Sequence, residues 1–373
     1  MKWVFWGSAA LVGYAYFGYA AWLWILNCWR HRPVRYGPYV APISIVMVVH
    51  NEQGVLDHKL RNLLSLNYPP EQTEIVVVSD GATDGSSEVL KGFSGISRLR
   101  VIWKPNRCGK AAGLNDARSA ATGEIVVFTD ARQTIEPDAV RFLLENFADP
   151  EVGCVSGELL LGDPDSGETT RRMGLYWRIE KKIREMESAS GSVIGATGAL
   201  YAVRRRLLVE VPPETILDDV YIPMHVLRQG ARVVFDPRAR MWDTPDQGTE
   251  REFARKVRTL SGNYQLVQLS PWLLSGANPL RFAFLSHKLI RLVVPFGLLT
   301  LLISSVFLPG PFYRLALALQ VMFYGLGASA LIGPKKGPFA KVADVAFTLV
   351  LLNTAAAVAA ANFVTGRRVE WAR

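Results

Sequence analysis

Hydrophobic residues gather near the two ends of the chain, in runs that are long enough to cross a lipid bilayer. One run covers residues 3–26, and three follow near the C-terminus, over residues 292–309, 312–333 and 342–364. A membrane-spanning helix needs about 20 apolar residues, so the pattern predicts one span before the polar middle of the chain and three after it. A cleaved signal peptide carries its positive charge before the apolar run. Here the basic residues follow the run, which favours a span.

Between residue 43 and about residue 236, short apolar runs alternate with segments of helical periodicity. The runs predict strands over residues 43–49, 75–79, 99–103, 125–129, 152–156 and 193–203. The other segments predict helices over residues 56–66, 86–93, 110–121, 137–147, 170–187 and 221–228. Buried parallel strands read as continuous Val and Ile runs. Alternating units of this kind indicate an α/β fold with a doubly wound, mostly parallel sheet and right-handed crossovers.

The segment over residues 250–270 has a different pattern. Its apolar side chains recur at helical spacing, and its basic side chains occupy the other faces. A basic amphipathic helix beside predicted spans is typical of a helix that lies in the membrane interface. A surface helix packed on the polar domain is the alternative.

We predict four parts: an N-terminal span and linker (1–35), a globular domain (36–248), the interface-helix region (249–286) and three spans (287–373).

The chain has a formal net charge of +9, but its basic residues stand beside the hydrophobic runs. This placement favours contact with lipid head groups, so we expect a lipid bilayer as a partner and no nucleic acid. One basic cluster, with Arg30 and Arg35, follows the first predicted span, and another, with Lys335, Lys336 and Lys341, precedes the last. Basic short loops stay in the cytoplasm. The prediction is a multi-pass inner-membrane protein with a cytoplasmic globular domain, although the arginines after residue 366 would then lie outside, against the rule.

Polar side chains follow two of the predicted strands at the points where the strands end. The first strand leads into His50, Asn51 and Glu52, and the second leads into Asp80 and Gly81. Open α/β sheets bind ligands at the carboxyl ends of their strands, and side chains there can hydrogen-bond to the edge of a nucleotide base. We therefore predict a nucleotide site at this edge of the sheet. A plain turn is the alternative for Asp80 and Gly81, because both residues are common in turns.

Three further groups of charged residues suit a nucleoside diphosphate. Arg107 and Lys110 stand at the start of a predicted helix, where N–H groups and basic side chains attract anions; a solvated loop explains the same residues. Asp130 follows the fourth predicted strand and could ligate Mg²⁺ or Mn²⁺, which prefer oxygen ligands. Arg255 and Arg258 are neighbours on the surface of a predicted helix. They could clamp phosphate oxygens or contact lipid head groups.

The pair Asp218 and Asp219 precedes a predicted helix. One aspartate could cap that helix, which leaves the other to take a proton from an incoming hydroxyl group. A displacement at a sugar carbon with inversion needs such a base within hydrogen-bond reach, together with a neutralised leaving group. The two residues are therefore candidate catalytic residues.

Seven short motifs follow one another in an order that resembles membrane-bound family 2 glycosyltransferases, a group that includes cellulose, hyaluronan and chitooligosaccharide synthases. They are Val-His-Asn-Glu, Ser-Asp-Gly-x-x-Asp-Gly-Ser, Lys-Pro-Asn-Arg-x-Gly-Lys, Phe-Thr-Asp-Ala-Arg, Thr-Gly-Ala, Leu-Asp-Asp and Arg-x-x-Arg. The resemblance covers roughly residues 42–265. It implies a GT-A fold, a nucleotide-sugar donor, a divalent metal ion and inversion at the anomeric carbon.

The resemblance also implies roles for individual residues by their positions in the motifs. The implied roles are nucleotide-base binding for His50, Glu52 and Asp80, metal binding for Asp130, acceptor binding for Thr197, Gly198 and Ala199, general base for Asp219, and a match of Arg255 and Arg258 to the family's Gln-x-x-Arg-Trp motif.

Three positions depart from the family pattern. Arg132 replaces the second aspartate of the family's Asp-x-Asp motif, so one metal ligand is lost and a cation faces the diphosphate. Asp218 replaces a glutamate, which is a mild change. Thr259 replaces the tryptophan that stacks near the acceptor sugar in polymerising members. This change favours a lipid-linked or short acceptor.

The sequence thus predicts an inverting glycosyltransferase that moves a sugar from a nucleotide-sugar donor to a membrane-associated glycan or lipid-linked acceptor. A UDP-sugar is the first candidate for the donor. A processive synthase that extrudes its product is one alternative. A non-catalytic membrane scaffold with the same fold is another, because function resides in the site and not in the fold.

Overall fold

The computed structural model describes residues 1–163, 168–169, 175–244, 249–331 and 337–367. The chain divides into two compact units. The sheet unit comprises Leu26–Met173 and Glu180–Pro245, and the helical unit comprises Met1–Ile25, Gly174–Ile179 and Asp246–Arg373. Lys335, Lys336 and the last six residues of the tail, on which part of the predicted topology depends, lie outside the described residues.

The sheet unit is built on one mixed β-sheet. Its strands are β1 (Ile43–Val49), β2 (Thr73–Asp80), β3 (Leu99–Lys104), β4 (Ile125–Thr129), β5 (Thr134–Ile135), β6 (Val152–Asp163), β7 (Glu168–Thr169), β8 (Leu200–Arg204) and β9 (Arg232–Asp243). They lie in the order β3-β2-β1-β4-β8-β6-β9-β5, with β7 paired to β6. The first four are parallel, whereas β8 runs antiparallel to both of its neighbours. The predicted GT-A type of α/β sheet is confirmed, with a smaller parallel part than the sequence indicated.

Helices alternate with these strands and also form the helical unit. In chain order they are α1 (Lys2–Gly13), α2 (Tyr19–Trp29), α3 (Gln53–Leu64), α4 (Ser86–Gly92), α5 (Lys110–Ala120), α6 (Ala139–Glu145), α7 (Leu175–Ser190), α8 (Asp218–Arg228), α9 (Thr249–Leu269), α10 (Arg281–Ala283), α11 (Ile290–Phe307), α12 (Pro311–Ser329) and α13 (Pro338–Val364). Single π-helical turns, Tyr14–Gly18 and Phe284–Leu289, join α1 to α2 and α10 to α11.

The core of the sheet unit explains why its strands carry continuous apolar runs. Side chains such as Ile45, Val77 and Val127 are fully buried, and they share one cluster with Leu56 and Leu60 of α3. Because neighbouring parallel strands are in register over these buried residues, their carboxyl ends reach the same edge of the sheet. The core therefore fixes the place of the polar residues that follow β1, β2 and β4.

Two strand predictions differ from the structure. The strand predicted over residues 193–203 is limited to β8, and the residues before it form a loop in which Gly195 has a φ of 82°. Val193 and Ile194 are buried, so their apolar character reflects packing and not strand pairing. β9 was not predicted, because Arg232, Asp236 and Arg238 interrupt its apolar alternation.

Small and polar side chains join the long helices of the helical unit. The hydroxyl groups of Ser8 on α1 and Thr300 on α11 are 2.7 Å apart. A Cβ atom on Gly297 would lie 2.9 Å from Leu11 Cδ2, so glycine permits the close approach of these two helices. Such contacts are typical of helices that pack within a membrane. α9, the predicted interface helix, is present, and its Tyr264 stacks on Phe363 of α13 with ring centroids 4.7 Å apart.

Three helices of the described chain are long and apolar enough to cross a membrane, where the sequence pattern predicted four. They are Lys2–Trp29, Arg281–Phe307 and Phe339–Val364. α12 covers most of the predicted third span, but Arg314 and Gln320 make it less apolar than the others. Whether α12 crosses the membrane stays a prediction.

Candidate active site

The carboxyl ends of β1, β2 and β4 bring several of the predicted site residues together. These strands are adjacent, in the order β2-β1-β4. His50 Nδ1, just after β1, lies 2.7 Å from the backbone O of Asp80 at the end of β2. Glu52 Oε2 pairs with Arg132 Nε at 3.5 Å, which joins the segments after β1 and β4. The structure therefore brings these residues together at the carboxyl edge of the sheet.

Asp80 holds the loop that leads into α5. Its side chain is buried, and its two carboxylate oxygens accept hydrogen bonds from the backbone N–H groups of Cys108, at 2.7 Å, and Gly109, at 2.8 Å. The loop approaches so closely that a Cβ atom on Gly81, which has a φ of 61°, would lie 2.4 Å from the backbone N of Arg107. Asp80 and Gly81 thus fix the start of α5. Base binding by either residue stays a prediction.

The turn after β1 is tied to the segment after β2. Asn51 has a φ of 54°, and its Oδ1 accepts a hydrogen bond of 2.8 Å from the backbone N–H of Thr83. The backbone N–H of Glu52 donates to Ser86 Oγ at 2.9 Å. Burial raises the pKa of Glu52, and the guanidinium of Arg132 only partly opposes this effect. Glu52 therefore lies in a partly desolvated position at the carboxyl edge of the sheet.

Lys110 joins two of the predicted carboxylates. Its Nζ lies 2.9 Å from Asp130 Oδ1 and 3.4 Å from Asp218 Oδ2. Burial disfavours the charged form of Lys110, but the carboxylates of Asp130, Asp218 and Asp219 outweigh burial and raise its pKa. Lys110 is therefore a permanent cation. The sequence placed all of these residues in one site but did not predict that one lysine bridges the end of β4 and the start of α8.

Asp218 and Asp219 occupy the first turn of α8. The capping alternative is wrong for both, because Leu217 is the residue that precedes the helix and no side chain caps it. Asp219 faces the segment Thr197–Ala199: a Cβ atom on Gly198 would lie only 3.0 Å from Asp219 Oδ2. The backbone O of Asp219 also accepts from the N–H of Ala196 at 2.7 Å. The predicted base and the predicted acceptor segment are thus in contact.

Arg184 of α7 supports the same segment and was missed by sequence reasoning. Its guanidinium donates to Thr197 Oγ1 at 2.6 Å and to Ser156 Oγ at 2.7 Å. Ser156 Oγ accepts from the backbone N–H of Thr197 at 2.9 Å. Burial lowers the pKa of Arg184, although nearby acidic residues, including Asp219, act against this. An arginine within a charged helix gave no signal in the sequence, because nothing in the periodicity separates it from a solvated residue.

The described residues include no group of three or more His, Cys, Asp and Glu side chains that could hold a metal ion. Asp130 is the predicted ligand, and its side chain is 39% exposed. Mg²⁺ keeps several waters and is commonly bound by one or two carboxylates together with substrate phosphates. Asp130 fits that limited role, with the diphosphate supplying the other charged oxygens.

Arg255 and Arg258 lie on α9 in the helical unit. Thr259, where the family has tryptophan, donates its Oγ1 hydrogen to the backbone O of Arg255 at 2.9 Å. The role of these arginines as a clamp on the diphosphate stays a prediction.

Comparisons with known proteins show what the chain is similar to. The family model described as "Glycosyl transferase family 2" matches residues 44–211. The chain is 24% identical over 237 residues to the poly-beta-1,6-N-acetyl-D-glucosamine synthase of Staphylococcus epidermidis, and 23% identical over 229 residues to that of Staphylococcus aureus. These matches cover 62% and 60% of this chain, and 57% and 55% of the relatives. The chain thus matches little more than half the length of these curated relatives.

A solved structure has the same fold along nearly the whole chain. It is the mannosyltransferase PcManGT from Pyrobaculum calidifontis, in complex with GDP-Man and Mn²⁺. The TM-score is 0.75 at 22% sequence identity, with 97% of this chain and 99% of that chain covered. At this level of identity the likeness shows the fold.

Proposed function

We propose that this chain, whose residues 44–211 match the glycosyl transferase family 2 model, is a member of that family and moves a sugar from a nucleotide-sugar donor to a membrane-associated acceptor. The observation that carries the proposal is the contact of Lys110 with Asp130 and Asp218, next to Asp219. A cation beside a partly exposed carboxylate suits a diphosphate and its metal ion. The neighbouring Asp219 suits a base that faces an acceptor.

The proposed reaction assigns one step to each group. The residues after β1, with Asp80, hold the nucleotide base. Asp219 takes the proton of an acceptor hydroxyl while that oxygen forms a bond to the anomeric carbon, and the bond from this carbon to the diphosphate breaks. Lys110 stabilises the negative charge that develops on the departing nucleoside diphosphate. A divalent ion held by Asp130 would supply further charge neutralisation. Attack opposite the leaving group gives inversion.

The donor and acceptor are proposed by class. The staphylococcal relatives are named as synthases of an N-acetylglucosamine polymer, and the solved neighbour holds GDP-Man. We propose a UDP-sugar, with a GDP-sugar as the next candidate, and a glycan or lipid-linked acceptor. The test is a screen of UDP- and GDP-sugars with purified full-length protein in lipid, measuring nucleoside diphosphate release with and without Mn²⁺. Release with none of them would contradict the proposal.

A processive synthase is the second candidate, and the names of the staphylococcal relatives favour it. Thr259, in place of a stacking tryptophan, favours addition to a short or lipid-linked acceptor. The length of the product separates the two: a single added sugar supports transfer, and a ladder of long products supports processive synthesis. A non-catalytic scaffold would give neither.

We propose that the three apolar helices anchor the chain in the inner membrane and that the globular domain over residues 36–248 faces the cytoplasm. α9 would lie in the membrane interface within the region over residues 249–286. The basic cluster after the first span supports this orientation. A cysteine at Ser87 should not react with an impermeant maleimide added to intact cells, and should react after permeabilisation. The experiment needs Cys28→Ser and Cys108→Ser as background, because both thiols are exposed. Labelling in intact cells would contradict the proposal and show that the globular domain faces the outside.

Arg132→Asp is expected to lower the Mn²⁺ concentration that gives half-maximal activity. The change removes the ion pair with Glu52 and adds a second carboxylate next to Asp130. Affinity for hard cations rises with the charge of the ligands. The measurement is a Mn²⁺ titration at fixed donor concentration. The control is Arg206→Asp. Arg206 is an exposed residue in the turn after β8, at the opposite edge of the sheet. Full wild-type activity in excess chelator would show that Arg132 replaces the metal ion.

A further inference from the structure

Lys59 of α3 is a buried lysine, with 1% of its surface exposed. Its Nζ donates to Thr129 Oγ1 at 2.8 Å and to the backbone O of Gln133 at 2.7 Å. Both of these partners are uncharged. Burial lowers the pKa of Lys59 to about 7, and the negative charge of Asp130 acts against that lowering. Asp130, a residue of the candidate donor site, therefore favours the charged form of Lys59.

A buried lysine without a bonded carboxylate is an unfavourable choice for packing alone. Desolvation penalises the ammonium group, and an apolar side chain of similar length would fill the same space without that penalty. The two hydrogen bonds of Lys59 are therefore its distinguishing contribution. The acceptors of these bonds, Thr129 and Gln133, flank Asp130 and Arg132 in the sequence.

The residues over 129–135, which we name the Asp130 segment, are held from two sides. On one side α3 contributes Lys59 and also Asn62, whose amide group bonds to both the N–H and the O of Ile135, at 2.9 and 2.8 Å. On the other side β5 pairs with β9, and Gln133 Nε2 donates to Asp243 Oδ2 at 3.0 Å. Lys59 fixes the part of the segment that carries Asp130, and Asn62 fixes the part that enters β5.

We propose that Lys59 is a positioning residue, which holds the Asp130 segment so that the Asp130 carboxylate is directed toward the donor diphosphate. The inference rests on the proposed function, because Asp130 belongs to the proposed donor site. Lys59 itself touches neither donor nor acceptor in this proposal. A small displacement of a positioned group is sufficient to slow a reaction strongly, since a shift of about 1 Å can lower a rate by about 10²-fold.

The test compares Lys59→Met with Asn62→Leu in the full-length protein. Methionine keeps the length of the side chain and removes both the charge and the hydrogen bonds. Asn62→Leu is the matched control, because it removes hydrogen bonds from the same helix to the same segment at its other end. Thr129→Val is a second variant that removes one acceptor and leaves Lys59 in place. The measurements are kcat and KM for the donor found in the screen, amide hydrogen exchange, and the Kd of UDP and GDP with Mn²⁺.

Lys59→Met is expected to lower kcat by about 10- to 100-fold, the range typical for loss of a group that orients a ligand. The melting temperature should equal or exceed that of the wild type. Hydrogen exchange should rise in the Asp130 segment and stay unchanged in β1 and β2. Thr129→Val should give a smaller loss that is not additive with that of Lys59→Met, because both changes remove the Lys59–Thr129 hydrogen bond. Asn62→Leu should raise exchange near Ile135 and leave kcat within a few-fold of wild type.

Three results would overturn the inference. One is wild-type kcat and exchange in Lys59→Met. Another is a loss of activity with increased exchange throughout the sheet unit, which would show a packing role. The third is an equal loss of kcat in Asn62→Leu. The proposed function fails in a different way, if the wild type releases no nucleoside diphosphate from any donor and binds neither UDP nor GDP. Hydrogen exchange then still decides whether Lys59 orders the Asp130 segment.

Discussion

Replacing Asp219 by asparagine is expected to lower turnover by about 10²- to 10⁴-fold, the range for loss of a positioned general base. Asparagine keeps the size of the side chain and cannot take a proton. Donor affinity should change little, because the proposed base faces the acceptor. The measurements are kcat for sugar transfer and the Kd of the nucleoside diphosphate, each compared with the wild type.

A graded form of the same experiment uses the close contact with Gly198. Gly198→Ala places a methyl group about 3.0 Å from Asp219 Oδ2, so the carboxylate must shift by a few tenths of an ångström and turnover should fall by less than in Asp219→Asn. Gly191→Ala is the control, since a Cβ atom there meets nothing within 4 Å. If Asp219→Asn retains turnover within a few-fold of the wild type, the base lies elsewhere and Asp218 is the next candidate.

Replacing Lys110 by methionine is expected to lower turnover by about 10²- to 10³-fold, the range for loss of one electrostatic group that stabilises transition-state charge. The change also leaves Asp130 and Asp218 without the cation that pairs with both of them. Because the diphosphate is present in the ground state too, the Kd of the nucleoside diphosphate should rise. Lys110→Arg keeps the charge and should recover part of both losses.

The control for Lys110 is Lys104→Met. Lys104, the last residue of β3, pairs with Asp116 of α5, so its loss removes an ion pair to the same helix and leaves the contacts of Lys110 with Asp130 and Asp218 in place. A melting temperature for each variant separates misfolding from lost chemistry. Unchanged turnover and unchanged affinity in Lys110→Met would contradict the proposed donor site.

The parallel half of the fold could be predicted from the sequence because its signal is local. Strands buried on both faces carry continuous apolar runs, and β1, β2 and β4 each contain such a run. The antiparallel half was less predictable. β9 carries charged residues that find partners in other elements, such as Arg238 with Glu145 on α6, and no local pattern shows that such pairs will form. α12 is apolar enough to resemble a span in a sequence pattern, but it contains Arg314 and Gln320 and is not one of the three candidate helices in the described chain.

The candidate site divides in the same way. The ends of β1, β2 and β4 are fixed by the core, so His50, Asp80 and Asp130 were predictable from the strands they follow. Contacts that depend on long-range packing were not. Lys110, Arg184 and Lys59 each bond to residues at least 13 positions away, and the sequence gives no measure of such distances. Motif order located the site, and packing determined which side chains meet there.

The bridge made by Lys110 has a consequence for the end of the catalytic cycle. Its two carboxylate partners compete with the diphosphate for the same ammonium group. In the proposed reaction, Lys110 would hold the spent nucleotide against this competition, so that dissociation of the nucleotide would exchange one set of ion pairs for another. Such an exchange lowers the barrier to product release, a step that limits the turnover of many enzymes. The proposal thus gives the carboxylate partners of Lys110 a part in product release as well as in donor binding.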